Sequence, residues 1–456
     1  ENDEDVGVDG VFATASLGFN NVLFLEGSVR QDKFSTLPRD NDTALYWGAS
    51  ASFLWSTLLD ANWLSIGKLR AGYATTGNGT GAYNTQNYYT LGTPIGGQAV
   101  ANTPYSNANS LLKPEESTEF EIGLEMSMFK NRLGFDYSYY DKKSVDLISP
   151  LTISSSTGYG QQWLNAGEVE NKGHELNLWG VPVRSDNFEW RIDLNWAQNQ
   201  NTVLSLPGGL TNILLASTQA VSINATVGEP YGMIRGTDFV IDEASGQRTI
   251  LSNGAYAKTA STNENLGSYL PDWKAGLNNR FTYKNLTLSF LIDMQKGGNV
   301  FSLDTWYGYA TGVYDVTAGL NELGNPKRNS LADGGGILLE GVQADGTPNT
   351  TRARFDYFAH ALGYSKAPHA LHVYDAGYIK LRELALAYNF PSKIFNQKGV
   401  IKSMTVSLIG RNLWIIDKDL PYADPESGLS AGNVQGHQSG AYPTTKDYGF
   451  SIKMQF

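Results

Sequence analysis

Residues 119–140 read EFEIGLEMSMFKNRLGFDYSYY, and this stretch decides the fold. Apolar side chains alternate with polar or small ones in two runs, separated by Lys130, Asn131 and Arg132. A period of two places successive side chains on opposite faces of a β-strand. Two such runs joined by a short polar turn predict a β-hairpin. The apolar face of the hairpin would carry Phe120, Ile122, Leu124, Met126, Met128, Leu133, Phe135, Tyr137 and Tyr139.

The same alternating unit recurs along the chain. It is present in residues 45–55, and further hairpins are predicted around Asp186-Asn187 and Lys284-Asn285. The last ten residues, DYGFSIKMQF (447–456), also alternate and end on an aromatic residue. We predict about 14 strands of about ten residues each, which is the length that crosses a bilayer at a tilt.

The connections between these strands alternate in length. Short turns are predicted at 130–132, 185–187 and 284–285. Outer-membrane barrels have short periplasmic turns and long extracellular loops, whereas a soluble sandwich keeps its turns short at both ends. The pattern therefore favours a transmembrane antiparallel β-barrel with its apolar face toward lipid, and a soluble all-β protein is the alternative. The predicted long loops are 76–115, 149–170, 202–228, 240–268, 297–375 and 415–446.

Composition narrows the class of protein. The 456 residues carry a net charge of −11 and no basic stripe, so nucleic acid is not an expected partner. The absence of cysteine excludes disulfides, thiolate metal sites and cysteine nucleophiles. No run of 18 apolar residues is present, so no transmembrane helix is predicted. The first residues, ENDEDVGVDG, do not form a signal peptide, so an exported protein would be represented here in a mature form or as a fragment.

No constellation of residues predicts catalysis, a cofactor or a metal. His369 and His372 are three residues apart, near Asp375, but a loop pair without further ligands favours a solvated loop over a metal site. Asp424 and Glu426 in DPES are predicted as turn residues rather than calcium ligands. We therefore predict that the protein is not an enzyme.

Two charged strand residues, Lys380 and Arg382, are expected near an interface or in the barrel lumen. A charge on the lipid face at mid-depth costs roughly 2–4 kcal/mol. An ion pair that stiffens the barrel is favoured over a contact with substrate.

Aromatic residues in the predicted loops are candidates for binding substrate. Flat aromatic faces beside polar groups commonly hold sugars and peptides. The alternative is an interfacial aromatic belt, which also lies near strand ends. The predicted substrate-binding residues are Trp163, Trp306, Tyr307 and Tyr309.

Seven segments, in order along the chain, resemble the SusC-like branch of TonB-dependent outer-membrane transporters. They are LKPEESTEFEIGLEMSMFKNRLGFDYSYYDKKSVDLI (112–148), NKGHELNL (171–178), LPDWKAGLNNRFTYKNLTLSFLIDMQKGGNVFS (270–302), DAGYIKLRELALAYNFP (375–391), SLIGRNLWI (407–415), DPES (424–427) and YPTTKDYGFSIKMQF (442–456). The resemblance implies a barrel of about 22 strands, filled by an N-terminal plug. Nothing in this sequence resembles the plug, so we expect residues 1–456 to be the C-terminal portion of such a transporter.

The resemblance also implies a function and partners. It implies import of a nutrient, a glycan or an oligopeptide, across the outer membrane of a Gram-negative cell. The implied partners are a SusD-like surface lipoprotein and the TonB–ExbB–ExbD complex, which draws on the proton gradient. The alternatives are a non-enzymatic anchor or receptor for a surface complex, and a passive porin. An outer-membrane enzyme is a further alternative, but the sequence lacks the Ser/His/Asp cluster that a barrel protease or lipase would need.

Overall fold

One large antiparallel sheet, here termed the wall, organises the molecule. The computed structural model describes residues 5–218, 220–358, 360–391, 394–395, 400–429 and 435–456. The wall has 13 strands, and each pairs with its neighbours in chain order. They are β1 (Val8–Phe19), β2 (Leu23–Phe34), β3 (Thr43–Phe53), β4 (Leu64–Asn78), β5 (Glu115–Met128), β6 (Leu133–Val145), β7 (Glu168–Arg184), β8 (Phe188–Ser205), β9 (Trp273–Tyr283), β10 (Leu286–Lys296), β11 (Tyr378–Phe390), β12 (Ser403–Lys418) and β13 (Asp447–Gln455).

The register of the wall brings residues of like character side by side. Because side chains alternate along each strand, a cross-strand row of paired residues shares one face. The apolar face is represented by the row Leu69, Leu124, Tyr137, Leu176, Trp196, Ala275, Met294 and Ile379. The polar face is represented by the next row, Arg70, Gly123, Ser138, Glu175, Ala197, Lys274, Gln295 and Tyr378. The predicted division into two faces is confirmed.

The longest connections of the wall lie together at one end. The predicted turns at 130–132, 185–187 and 284–285 are present between consecutive strands. The hairpin of β5 and β6 turns through left-handed backbone at Phe129, Lys130 and Asn131. Antiparallel strands reverse direction at each connection, so every second connection falls at the same end. The end opposite these turns, the loop end, carries the long connections 79–114, 146–167, 206–272, 297–377 and 419–446.

One long connection differs from the predicted boundaries. Residues 206–272 form a single excursion, whereas the sequence predicts separate loops at 202–228 and 240–268. Between them, Met233–Gly236 joins a separate sheet of four strands instead of the wall. The segment EPYGMIRGTDF (229–239) has no run of alternating residues long enough for a wall strand. Residues 219, 359 and 430–434 of the predicted loops lie outside the described residues.

The loop end contains short elements of its own. Its longest helix is α1 (Leu303–Thr311), capped by Ser302 and by left-handed Gly312. The short strands there are Thr90–Leu91, Ala101–Asn102, Ser106–Asn107, Ile148–Thr152, Gln161–Asn165, Asn212–Ser217, Ser222–Thr226, Met233–Gly236, Thr249–Ile250, Glu264–Ser268, Asn299–Ser302, Ile337–Leu338, Val342–Gln343, Arg352–Ala353, Val373–Asp375 and His437–Gln438. Single 3₁₀ turns lie there at Ser155–Thr157, Pro207–Gly209, Asp315–Thr317, Leu331–Asp333, Tyr364–Lys366 and His369–His372, and another, Trp55–Leu58, lies between β3 and β4 at the opposite end.

The wall is an open sheet with two edge strands. Within the described ranges, β1 pairs with β2 alone and β13 pairs with β12 alone. Both edge strands are exposed along their whole length. In the same part of the chain, no helix has the length and apolar character needed to span a membrane.

Candidate functional site

A buried aromatic core organises the loop end. Phe301 is fully buried, and the Trp306 side chain is 4% exposed beside it, with ring centroids 6.3 Å apart. Both pack against Ile234, which comes from the connection between β8 and β9. The core therefore ties helix α1 to a connection some 70 residues away in sequence, and it fixes the position of this helix.

Three of the predicted substrate-binding residues lie on helix α1. Trp306 faces the buried core, where it stacks on Tyr364 at 4.8 Å. Tyr307 is half-buried and packs edge-on against Trp306. Tyr309 is half-buried on another side of the helix, against Tyr314 at 6.0 Å. The structure brings these three residues together, and their contact with a ligand stays a prediction.

The fourth predicted residue, Trp163, lies elsewhere at the loop end. It belongs to the strand Gln161–Asn165, which pairs with Ile148–Thr152. Its half-buried ring packs against a small core formed by Phe34, Leu37 and Leu112. Trp163 therefore belongs to a different cluster from helix α1, and its role in binding also stays a prediction.

The predicted histidine pair is packed beneath helix α1. His372 is fully buried, and its Nδ1 lies 3.0 Å from the hydroxyl of Thr305. The Nδ1 of His369 accepts a hydrogen bond from the backbone N–H of Thr237 at 3.1 Å. Burial lowers the pKa of His369 to about 4 and that of His372 to about 3. Both rings are therefore neutral at pH 7 and form part of the core, whereas the sequence favours a solvated loop.

A network of charges, here termed the latch, joins the loop after β12 to the wall. Lys380 on β11 is 3% exposed and donates to Asp424 and to Glu426, each at 2.5 Å. Asp424 also accepts from the backbone N–H of Glu426 and from the hydroxyl of Thr444. Burial is the largest single influence on Asp424 and opposes its ionisation, but the hydrogen bonds from Lys380, the Glu426 N–H and Thr444 and the charge of Lys380 together outweigh it, so the pKa of this carboxyl is lowered. The predicted ion pair of Lys380 is confirmed, and its partners are the acidic residues of DPES.

Arg382 extends the latch across the polar face. Its guanidinium donates to Asp293 on β10, with Nε 2.9 Å from the carboxylate, and to Glu426 at 2.8 Å. The hydroxyl of Tyr378 donates to Glu426 at 3.1 Å. Burial alone would raise the pKa of Glu426, but bonds from Lys380 and Arg382 lower it. The latch thus fixes the loop that carries DPES against two wall strands.

Other charges of the polar face are paired within the wall. Arg70 donates to Asp136 at 2.7 Å and to Ser138 at 2.5 Å. Lys68 lies 2.6 Å from Glu125. These pairs link β4, β5 and β6 from side to side, so they stiffen the wall.

The fold defines a class of protein at this point. A long antiparallel wall with one apolar face, one polar face and long loops at one end is the architecture of an outer-membrane β-barrel. The chain belongs to the TonB dependent receptor-like, β-barrel family, which matches residues 2–413. It is therefore an outer-membrane protein, and the apolar face of the wall is its lipid-facing side.

Known proteins agree with this assignment. The TonB-dependent receptor P3 of Formosa agariphila is 26% identical over 481 residues, covering 98% of this chain and 45% of that protein. The TonB-dependent receptor SusC of Bacteroides thetaiotaomicron is 22% identical over 464 residues, covering 94% of this chain and 42% of that protein. The expected resemblance to SusC-like transporters is confirmed. The chain spans about half the length of the curated relatives it matches.

A solved structure has the same fold. The RagAB peptide transporter superposes on 99% of this chain with a TM-score of 0.77, at 21% identity, and 48% of that chain is covered. The match supports the arrangement of the wall and its loops.

Proposed function

We propose that residues 1–456 form the C-terminal barrel portion of a transporter that actively imports a nutrient across the outer membrane. The nutrient would be an oligosaccharide or an oligopeptide. The observation that carries this proposal is the wall itself, with its lipid-facing apolar side, in a chain of the TonB-dependent receptor family. In this role the protein performs no bond chemistry and needs no cofactor.

The orientation of the barrel follows from the lengths of its connections. Short turns face the periplasm and long loops face the exterior in outer-membrane barrels. The loop end, including the six predicted loops from 76–115 to 415–446, would therefore be extracellular. The half-buried aromatic residues Trp163, Tyr307 and Tyr309 would meet the ligand there, whereas Trp306 is buried in the loop-end core and would only support Tyr307 from behind.

The remaining parts of the transporter are also proposed. A plug domain and further barrel strands would come from outside residues 1–456. A SusD-like surface lipoprotein would cap the loop end, and the TonB–ExbB–ExbD complex would supply energy. Similarity to SusC and to the RagAB transporter supports both partners.

Uptake by cells that express the full-length protein tests the proposal. Labelled oligosaccharides and oligopeptides should accumulate in the periplasm, and loss of the TonB protein or addition of a protonophore should abolish accumulation. Affinity purification of the full-length protein should recover a surface lipoprotein. Uptake that persists without the proton gradient would instead identify a passive porin. Recovery of the lipoprotein without any uptake would identify an anchor for a surface complex.

A further inference from the structure

A cavity of about 610 Å³ lies on the lipid-facing side of the wall, at the loop end of strands β9 to β12. Its apolar lining consists of Trp273, Met294 and Ile379, which alternate onto that side. The register pairs Trp273 with Lys296, and it pairs Ile379 with Asp417. The cavity therefore combines an apolar floor with two opposite charges on the side of the wall that faces the membrane.

The parts expected from outside residues 1–456 would not cover this cavity. The proposed plug would fill the lumen, on the opposite side of the wall, to which Lys274 and Gln295 belong. Further strands would pair with the free edge of β13, about 10 Å from β12. Moreover, β13 pairs with β12 along Ser403–Arg411, and Asp417 lies beyond this stretch. The occupant of the cavity has to come from the membrane side.

The cavity lies at the level of the membrane surface. The next row below it on the same side is Leu277, Ile292 and Leu381, all apolar, and it ends at the exposed Trp414. Tryptophan is enriched where a membrane meets water, and Trp273 and Trp414 lie at this boundary. Above the cavity, the wall strands end and the loops begin. A lipid with its acyl chains along the apolar row would place its headgroup in the cavity.

The charges that border the cavity are of both signs. Lys296 is exposed and lies 4.0 Å from Asp375, and the exposed Asp417 lies across the cavity on β12. Two further charged residues form hydrogen bonds with the backbone instead. Lys418 donates to a carbonyl of the following loop at 2.6 Å, and Asp419 accepts from the N–H of Asp375 at 3.1 Å. An ammonium and a carboxylate thus face the same space.

The spacing of Lys296 and Asp417 suits a small zwitterion. They lie two strands across and two residues along from each other, so their backbones are about 12 Å apart. The lysine side chain covers about half of this distance when it is extended. The remaining gap accommodates a phosphate and an ammonium joined by two carbons.

The chemistry of the cavity selects one class of lipid. A lysine ammonium binds a phosphate, and a carboxylate accepts hydrogen bonds from a primary ammonium. We propose that this cavity binds the phosphoethanolamine headgroup of a lipid in the leaflet next to the loop end. The phosphate lies at Lys296, the ammonium lies at Asp417, and the acyl chains follow the apolar row below. This inference depends on the membrane location of the wall and not on transport.

Native mass spectrometry of the purified full-length protein, titrated with lipids of identical acyl chains, tests the site. The probes are dioleoyl phosphatidylethanolamine, dioleoyl phosphatidylcholine and dioleoyl phosphatidylglycerol. All three have a phosphate, but choline has no N–H donor and glycerol has no positive charge. The ethanolamine lipid should bind roughly tenfold more tightly than the choline lipid, because it forms a charged hydrogen bond. The glycerol lipid should bind more weakly than the ethanolamine lipid by at least the same factor.

Two variants separate the two ends of the headgroup. Asp417→Asn should lower the affinity for the ethanolamine lipid roughly tenfold, to about that for the choline lipid. Lys296→Gln should weaken binding of both lipids by the same factor, since both have a phosphate, and should leave their ratio unchanged. Lys172→Gln is the matched control, because it removes a lysine of the same side of the wall that is paired with Glu170 at 2.9 Å, and it should alter neither affinity.

Other outcomes would overturn the site. Equal affinities for the ethanolamine and choline lipids in the wild type would show that the ammonium is not recognised. Equal losses for all three lipids in Asp417→Asn would contradict a contact between Asp417 and the headgroup. Cross-linking that finds a second copy of the chain over the cavity would replace the lipid as its occupant. Energy-dependent uptake is measured separately, so the lipid site and the transport function fail independently.

Discussion

Lys380 connects the wall to the loop end. Its ammonium is nearly inaccessible to solvent and lies between Asp424 and Glu426. A buried charge is tolerated only when it is paired and hydrogen-bonded, and this one has two carboxylates. Removing one partner of a buried pair leaves the other charge uncompensated, whereas an exposed pair contributes little. Lys380 is therefore expected to contribute much more to the stability of the latch than a lysine in an exposed ion pair would.

Substitution of Lys380 by methionine should destabilise the folded protein by about 3–5 kcal/mol, because Asp424 would stay buried without a cation. Urea unfolding of the full-length protein in detergent micelles measures the change. The control is Lys68→Met, which breaks a partly exposed pair with Glu125 and should alter the free energy of unfolding by about 1 kcal/mol or less. If both variants lose the same free energy of unfolding, the buried pairs of Lys380 stabilise the protein no more than the partly exposed pair of Lys68 does.

Helix α1 is the element that the loop-end core holds in place. Its N-terminus is capped by Ser302, whose hydroxyl accepts from the N–H of Thr305 at 3.1 Å. The same hydroxyl donates to Gln438 at 2.7 Å, so the cap also ties the helix to the loop after β12. His372 and His369 pack below it as neutral rings. The helix thus depends on one cap and on two uncharged histidines.

Replacing Ser302 by alanine should weaken helix α1. Loss of an N-cap costs about 0.5–2 kcal/mol, and here a buried acceptor on Gln438 also loses its donor. Amides of Leu303–Thr311 should exchange with solvent roughly tenfold faster in hydrogen-exchange mass spectrometry. Ser302→Thr keeps the hydroxyl and should retain most of the protection. If these amides exchange as slowly in both variants as in the wild type, Ser302 does not stabilise the helix as an N-cap.

Acidification should loosen the same element. The folded pKa values of His369 and His372, about 4 and about 3, lie below the unfolded value near 6.5. Between these values the unfolded state binds more protons, so stability falls as the pH drops from about 6.5 toward 4. The slope is up to about 1.4 kcal/mol per pH unit for each histidine.

Protection factors of helix α1 amides, measured from pH 7 to pH 5, report this effect. The double variant His369→Asn/His372→Asn keeps an oxygen or nitrogen near each Nδ1 position and should reduce the pH dependence. Part of it should remain, because burial also lowers the pKa of His360 beside the same helix. His174→Asn, on the lipid-facing side of β7, should leave it intact. A pH dependence of the same size in the double variant as in the wild type would show that His369 and His372 do not cause it.

The wall could be predicted from the sequence far better than the loop end. Alternation is a local signal, so the hairpin of 119–140 and the faces of β13 follow from neighbouring residues alone. Helix α1 falls in a segment predicted as loop, because it is short and interrupted by Gly308. Its two local signals were the cap Ser302 and the left-handed Gly312 that follows it.

The contacts at the loop end could not be predicted in the same way. Lys380 meets Asp424 across 44 residues, and Trp306 meets Ile234 across about 70, so neither contact leaves a periodic trace. Tertiary partners, rather than local propensity, set these positions.

At the scale of the whole molecule, residues 1–456 form a sheet whose two edge strands each lack a partner on one side. The edge strands β1 and β13 each present unpaired backbone groups over 12 and 9 residues. An unsatisfied backbone group within hydrocarbon costs several kcal/mol, so an open sheet cannot remain in the bilayer. We therefore propose that strands from outside residues 1–456 pair with both edges, in keeping with relatives about twice the length of this chain.

Hydrogen exchange of the two edge strands tests this closure. In the full-length protein, amides of β1 and β13 should be as protected as those of the central strand β7, because strands from outside residues 1–456 would pair with them. When residues 1–456 are produced alone in detergent, the same amides should exchange rapidly while β7 stays protected, and the particle should associate through its edges. Lys274→Gln, which lies far from both edges in strand order, should change neither result. Slow exchange at β1 and β13 in the isolated, monomeric chain would mean that its 13 strands close on themselves, and the proposed contribution of outside strands would then be wrong.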